Sequence, residues 1–248
     1  MKHVTVKTNV INFSNLKIKI YIMKIIALIP FYADYKSLEG SLACRPLIKI
    51  SGKSLINRTI EILNHVESIN DTIVFTSDGK VSESIDNDMD YKVIQRSDDL
   101  NSNQSSIEDV IEGFLKISDA DIIVLIHPRS PFIRPKTIKA CINKVLAGDT
   151  DSAFLARNIQ RNAWFEGKPL NFSNHKDTLS LSKLSPILIE SSSFYVFTRE
   201  LFESNRRRIG ENPYIKEIGH LEGFEVDNQD DLTMAELIIN AGLDKEVL

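Results

Sequence analysis

The segment DIIVLIHPRSPFIRPKTIKACINKVLA, residues 121–147, passes from strand to loop to helix in one continuous run. Within residues 121–126, the run IIVLI after Asp121 is apolar without alternation, as expected of a strand buried on both faces. Residues 136–147 read as a helix that starts after Pro135, with Thr137 near its N-terminus. Between strand and helix, a proline-stiffened loop carries His127, Arg129 and Ser130.

The same alternation extends in both directions. Upstream, IIALIP (Ile25–Pro30) is another apolar run, ended by proline. Residues 54–66 place Leu55, Ile56, Ile60, Ile62 and Leu63 on an amphipathic helix. Short strands follow at residues 72–76 and 91–94. Residues 106–117 form a helix with Ile107, Val110, Ile111 and Phe114 on one face. Downstream, strands are expected at residues 152–155 and 193–197, and a last helix at 230–241. Strands alternating with helices over short connections predict an α/β fold with a doubly wound, mostly parallel sheet flanked by helices.

Length and composition set the frame. At 248 residues the chain holds one large α/β domain, expected over residues 23–248. The first 22 residues differ in texture from the rest and are expected to form an extension. They contain no apolar run long enough to span a membrane and no signal-peptide pattern. A net charge of -4 gives no electrostatic case for nucleic acid or an anionic membrane. The two cysteines, Cys44 and Cys141, have no metal-like spacing, which fits a cytoplasmic protein. The least regular stretch, residues 157–185, reads as an insertion that faces a substrate or partner.

Ligands of open α/β sheets bind beyond the carboxyl ends of strands, so four segments are candidates. Residues 29–55 carry Lys36, Arg45 and Lys53, cations that suit a triphosphate. No phosphate-binding G-x-x-x-x-G-K-[ST] loop is present. In residues 95–115, Arg96 precedes a Ser/Asn-rich turn with Ser105 and Ser106 at the start of a helix. The loop with His127, Arg129 and Ser130 is the third. In the fourth, GFEVDNQDDL (residues 223–232), Glu225 and Asp227 lie two apart. On an extended strand both carboxylates point to the same side. Such a pair is costly without a cation between them, and its oxygens suit magnesium. Asp230 and Asp231 have a plainer reading as charges at a helix N-terminus. Taken singly, each candidate also has a plain reading: surface cation, helix cap, structural histidine or exposed acidic edge.

Together the segments resemble the acylneuraminate cytidylyltransferase family, the CMP-sialic acid synthetases and their relatives. The family's IPAR-GGSKG strand end and K-PL-GKPLI turn read here IPFYADYK and RPLIKISGKSLI. Its RP--LA-D segment reads RSDDLNSNQSSIEDV, and its LLQPTSPLR reads LIHPRSPFIR. Its E-NGAIYI strand reads ESSSFYVF, and its D-ID---DF--AE reads EVDNQDDLTMAE. Order and spacing match from Met23 to about Gly242.

The resemblance implies a nucleotidyltransferase with a Rossmann-like fold that passes CMP from CTP to an acidic keto-sugar, with magnesium as cofactor. It assigns the catalytic roles to Lys36, Arg45 and Asp227. Nucleotide contacts fall on Lys36, Arg45, Arg96, Ser105 and Ser106. Acceptor contacts fall on His127, Arg129 and Ser130, and metal ligation on Glu225 and Asp227. The partners implied are CTP, a nonulosonate-like sugar and a second copy of the chain, with residues 157–185 as the dimerisation element.

The chain also departs from the pattern. Tyr32, Ala33, Asp34 and Tyr35 replace the first loop's Arg, glycines and Ser, Ser-Ser replaces the sugar-side NG, and Glu225 replaces one metal Asp. Two other readings therefore stand beside the first. One is the same chemistry on keto-deoxy-octulosonate or a phosphonate, although the GDEP loop of the octulosonate enzymes is absent. The other is a non-catalytic member that binds a nucleotide or partner.

Overall fold

Every residue of the run Ile25–Pro30 is buried, because helices cover both faces of the strand it forms. Ile25, Ala27 and Ile29 face one core, and Ile26 and Leu28 face the other. Residues 122–126 divide in the same way: Ile122, Val124 and Ile126 go to the first core, Ile123 and Leu125 to the second. Period-two alternation between two apolar layers is what leaves such a sequence without polar positions.

The computed structural model describes residues 9–13, 16–20, 23–31, 45–101, 105–173 and 183–245; for 9–13, 16–20, 45 and 101 only the backbone path is described. A hairpin of β1 (Asn9–Phe13) and β2 (Leu16–Ile20) precedes β3 (Ile25–Pro30). Then come a small hairpin of β4 (Lys49–Ile50) and β5 (Lys53–Ser54), helix α1 (Leu55–Asn64), β6 (Asp71–Thr76) and β7 (Lys92–Gln95). Helix α2 (Ile107–Leu115), β8 (Ile122–Ile126), α3 (Pro135–Leu146) and β9 (Ser152–Ile159) follow. A hairpin of β10 (Trp164–Phe165) and β11 (Lys168–Pro169) leads to the long β12 (Ile187–Thr198), then α4 (Arg199–Asn205), β13 (Pro213–Ile218) and α5 (Gln229–Asn240).

The central sheet has seven strands in the order β13-β9-β12-β8-β3-β6-β7. Only β12 runs against its neighbours; the remaining pairs are parallel. The expected doubly wound, mostly parallel architecture is what forms. α1, α3 and α5 pack on one face, and α2 and α4 on the other. β1 and β2 pair with each other and take no place in the seven-stranded sheet. No helix among the described residues is long and apolar enough to cross a membrane.

The topology also locates a crevice. From β3 the chain moves to β6 and β7, then crosses back to form β8 on the other side of β3. The ends of β3 and β8 therefore flank the point where strand order reverses. The loop with His127, Arg129 and Ser130 leaves the sheet there.

Candidate functional site

Backbone bonds hold that loop to two other segments. The His127 N–H donates to Ser193 O at 2.8 Å, which extends the β8–β12 ladder by one rung. The Val226 N–H donates to Arg129 O, also at 2.8 Å, which brings the acidic segment alongside. Phe132 and Ile133 are buried beneath, and the Phe132 ring lies 6.0 Å from that of Phe224.

β12 contributes through an irregularity. Its pairing with β9 shifts register between Glu190 and Tyr195, and Ser191, Ser192, Ser193 and Phe194 lie across the irregularity. A bulge turns side chains that a regular strand would alternate. Here it feeds a chain of hydroxyls: Ser130 Oγ donates to Ser193 Oγ at 2.7 Å, and Ser193 and Ser191 share a bond of 2.8 Å. Ser191 Oγ donates to Glu225 Oε1 at 2.5 Å.

Arg129 closes the arrangement. Its Nη2 donates to Glu225 Oε2 at 2.8 Å and to Ser192 Oγ, and its Nη1 meets Asp227 Oδ1 at 3.4 Å. The Arg129 and Glu225 side chains are 21% and 17% exposed, whereas Asp227 is 48% exposed. The pair with Glu225 is therefore shielded from water and the contact with Asp227 is open to it. Arg129 Nε is buried with no hydrogen-bond partner, so the guanidinium is held by its outer edge alone.

The two carboxylates thus do meet one cation, as their spacing requires, but that cation is a guanidinium. They reach it from an irregular segment, not from the strand expected there: Val226 is buried between them and its N–H is tethered to Arg129 O. Two carboxylates are a fitting protein contribution to magnesium, which takes its remaining oxygens from phosphate and water. Both Glu225 oxygens already accept hydrogen bonds, from Arg129 and Ser191. The chemistry of the two carboxylates fits the metal, and in this structure Arg129 holds both of them. Among the described residues, no group of three or more His, Cys, Asp or Glu side chains is arranged to hold a metal ion.

Asp231 does more than charge a helix end. Its carboxylate accepts from Asp227 N at 2.9 Å and from Asn228 N at 3.0 Å, within a capping box with Asn228 at the start of α5. It thereby fixes the backbone that presents Asp227.

His127 enters as a neutral base. Burial, with the positive charges of Arg129 and Arg208 nearby, lowers its pKa from 6.5 to about 4. Folding therefore favours the neutral ring, and the unfolded chain takes up the proton first as pH falls. This costs no stability above about pH 6.5. The loss grows as pH drops toward 4, to about 3 kcal/mol when complete. His127→Gln is expected to reduce the stability lost between pH 7.5 and 4.5 by about 2 kcal/mol, read by urea unfolding at the two pH values. An unchanged loss would show that the imidazole is charged in the folded protein.

The other sequence candidates lie apart from this cluster or serve locally. Arg96 is buried at the ends of β6 and β7, with its N–H on Thr76 O and Nη1 3.4 Å from Phe75 O. Ser106 caps α2 in a capping box with Asp109, and Ser105 Oγ donates to Asp99 O. Lys53 pairs with Glu61 at 2.7 Å, and the adjoining Ser51–Gly52 turn has positive φ at both residues, so SGKSL is a hairpin turn and helix cap. Arg45 begins a short 3-10 turn, and of it the backbone alone is described. Lys36, with Tyr32, Ala33, Asp34 and Tyr35, lies outside the described residues.

Sequence reasoning missed Arg208 and Tyr195. The Arg208 guanidinium stacks 4.5 Å over the Tyr195 ring and pairs with Glu108 at 3.2 Å. The Tyr195 hydroxyl donates to Glu190 at 2.5 Å, and burial, then Glu190, raises its pKa. The signal available was the run of three arginines at 206–208, which has no reason to be noticed before α4 and β13 are placed.

Comparison with known proteins adds the chain's relationships. A sequence model of the cytidylyltransferase family matches residues 42–244. A 3-deoxy-manno-octulosonate cytidylyltransferase of Chlamydia caviae is 28% identical over 62% of this chain, and one of Chlamydia pneumoniae is 25% identical over 63%. The chain spans 65% of the length of each of these relatives. Its fold is similar to that of a CMP:2-keto-3-deoxy-manno-octonic acid synthetase solved with CTP, with a TM-score of 0.67 at 18% identity over 88% of this chain and 99% of that one. It is also similar to a 4-diphosphocytidyl-2C-methyl-D-erythritol synthase of Anaerococcus prevotii, with a TM-score of 0.61 at 12% identity over 88% and 96%.

Proposed function

The chain belongs to the cytidylyltransferase family, and from that premise we propose that it transfers CMP from CTP to an acidic keto-sugar and releases pyrophosphate. The observation that carries the proposal is the cluster at the switch point of the sheet. There the carboxylates of Glu225 and Asp227, the guanidinium of Arg129 and a chain of serine hydroxyls converge beside β8. An acidic, hydroxyl-rich acceptor and a polyphosphate both need that mixture of cation and hydrogen-bonding groups.

In the proposed reaction the sugar's hydroxyl attacks the α-phosphorus of CTP, the bond to the pyrophosphate oxygen breaks, and the hydroxyl proton is lost. Such a transfer depends on in-line positioning and charge neutralisation, with no covalent protein intermediate. Lys36, Arg45 and Arg96 are the cations proposed for the nucleotide, with Ser105 and Ser106 beside it. His127, Arg129 and Ser130 are proposed to face the acceptor. Magnesium held by Glu225 and Asp227 would supply charge neutralisation at the phosphate oxygens.

The acceptor is either a 3-deoxy-manno-octulosonate or a nonulosonate. The chlamydial relatives support the first, and the HPRSPF and ESSSFYVF segments support the second. Pyrophosphate release from CTP, with each acid supplied separately, decides between them. Release with neither, while CTP still binds, favours the non-catalytic reading.

We also propose a homodimer. Trp164, Phe165 and Leu170, on and just after the β10–β11 hairpin, are 58%, 63% and 57% exposed, and Leu188 and Ile189 are exposed on the overhang of β12. Exposed apolar side chains of this size offer surface for a contact, and closed twofold dimers are the commonest assembly. Light scattering is expected to give a dimer mass, and Trp164→Glu with Phe165→Glu a monomer. A wild-type monomer at all concentrations removes the claim.

A further inference from the structure

We propose that Arg129 is the resident counter-ion of Glu225 and Asp227, and that a divalent metal reaches the carboxylates only when Arg129 leaves them. The inference rests on the metal assignment made above, but not on transfer activity.

Three observations carry it. Arg129 touches both carboxylates at once, 2.8 Å from Glu225 and 3.4 Å from Asp227. A divalent ion held by the pair would draw on the same two carboxylates, and would sit against a like charge if the guanidinium stayed. Finally, the guanidinium is tied down on one side only. Ser192 and the two carboxylates hold its terminal nitrogens, while Nε is buried without a partner. A side chain held in this way can swing away without breaking a second set of bonds.

The charges give the swing a direction. Glu225, Asp227 and Arg129 sum to one negative charge, so this cluster by itself offers a bare triphosphate no net attraction. A triphosphate arriving with a divalent ion gives Arg129 an anionic partner at the moment the metal takes its place. Metal and nucleotide should therefore bind with positive coupling, and by linkage each should strengthen the other by the same factor. Arg129 acts here as a positioning residue, setting the order in which the site fills.

The test uses manganese as the probe, titrated into the full chain without nucleotide and read by electron paramagnetic resonance. Arg129→Gln is expected to bind manganese at least about tenfold more tightly than the wild type, because a like charge has been removed from the site. Adding Asp227→Asn to that variant should cancel the gain. With CTP present, the wild type should gain more manganese affinity than Arg129→Gln does. Equal or weaker manganese binding by a cooperatively melting Arg129→Gln overturns the proposal. If that variant does not fold, the wild type still decides. Tight manganese binding without nucleotide, abolished by Asp227→Asn, overturns the proposal, and weak binding that CTP strengthens more in the wild type than in Asp227→Asn upholds it. Failure of CTP to bind at all would instead count against the proposed function.

Discussion

Asp227→Asn is expected to slow pyrophosphate release about a hundredfold, roughly 3 kcal/mol in the barrier, while the fold survives. The side chain is half exposed and packs into neither core, so its charge matters to ligands more than to stability. The amide keeps the size and one acceptor oxygen but halves the negative charge offered to a metal by the pair. Asp231→Asn is the informative contrast. Its carboxylate holds Asp227 N and Asn228 N, so the substitution is expected to cost about 1 kcal/mol of stability as a lost cap and to weaken turnover less than Asp227→Asn. Steady-state rates and urea unfolding of both variants check this. A wild-type rate in Asp227→Asn, with unchanged magnesium dependence, would remove Asp227 from the metal site.

Phe194→Ala is expected to destabilise the chain by about 3–5 kcal/mol. The ring is fully buried and belongs to the first core. It is the last residue of the irregular stretch and pairs with Ile126, so it pins the bulge to the end of β8. Loss of the ring leaves a cavity beside Ser193, which carries both the hydroxyl chain and the bond to His127 N. Urea unfolding measures the loss directly. A loss below about 1 kcal/mol, the range of ordinary surface changes, would show that backbone pairing alone holds the bulge.

The central strands were legible because their burial on two faces leaves an unbroken apolar run, as in Ile25–Pro30 and Ile122–Ile126. β13 was not, because PYIKEI lies at the sheet edge and only its last residue is buried. β12 was read from residue 193 onward. Its first residues, 187–189, are apolar but largely unburied and lead into Glu190 and three serines, and nothing local announces that it runs antiparallel. Helix caps were fully local: Ser106 with Asp109, and Asn228 with Asp231, stand three residues apart. The site itself was half legible. The carboxylate pair is visible in EVD, and the polar loop is visible at the end of its strand. That Arg129 reaches Glu225 depends on a contact between residues 96 apart, which no local pattern encodes. The missing strand at Glu225 has a similar cause, since the segment is held by a bond to Arg129 O and not by a sheet neighbour.

The central claim is nucleotidyl transfer at this site, and phosphorus NMR of the full chain with CTP, magnesium and a panel of acidic keto-sugars tests it most directly. The account predicts that, with at least one sugar, the CTP signals are replaced by pyrophosphate and one equivalent of a CMP phosphodiester. CTP left unchanged with every acceptor, together with no detectable binding of CTP in the presence of magnesium, would contradict it.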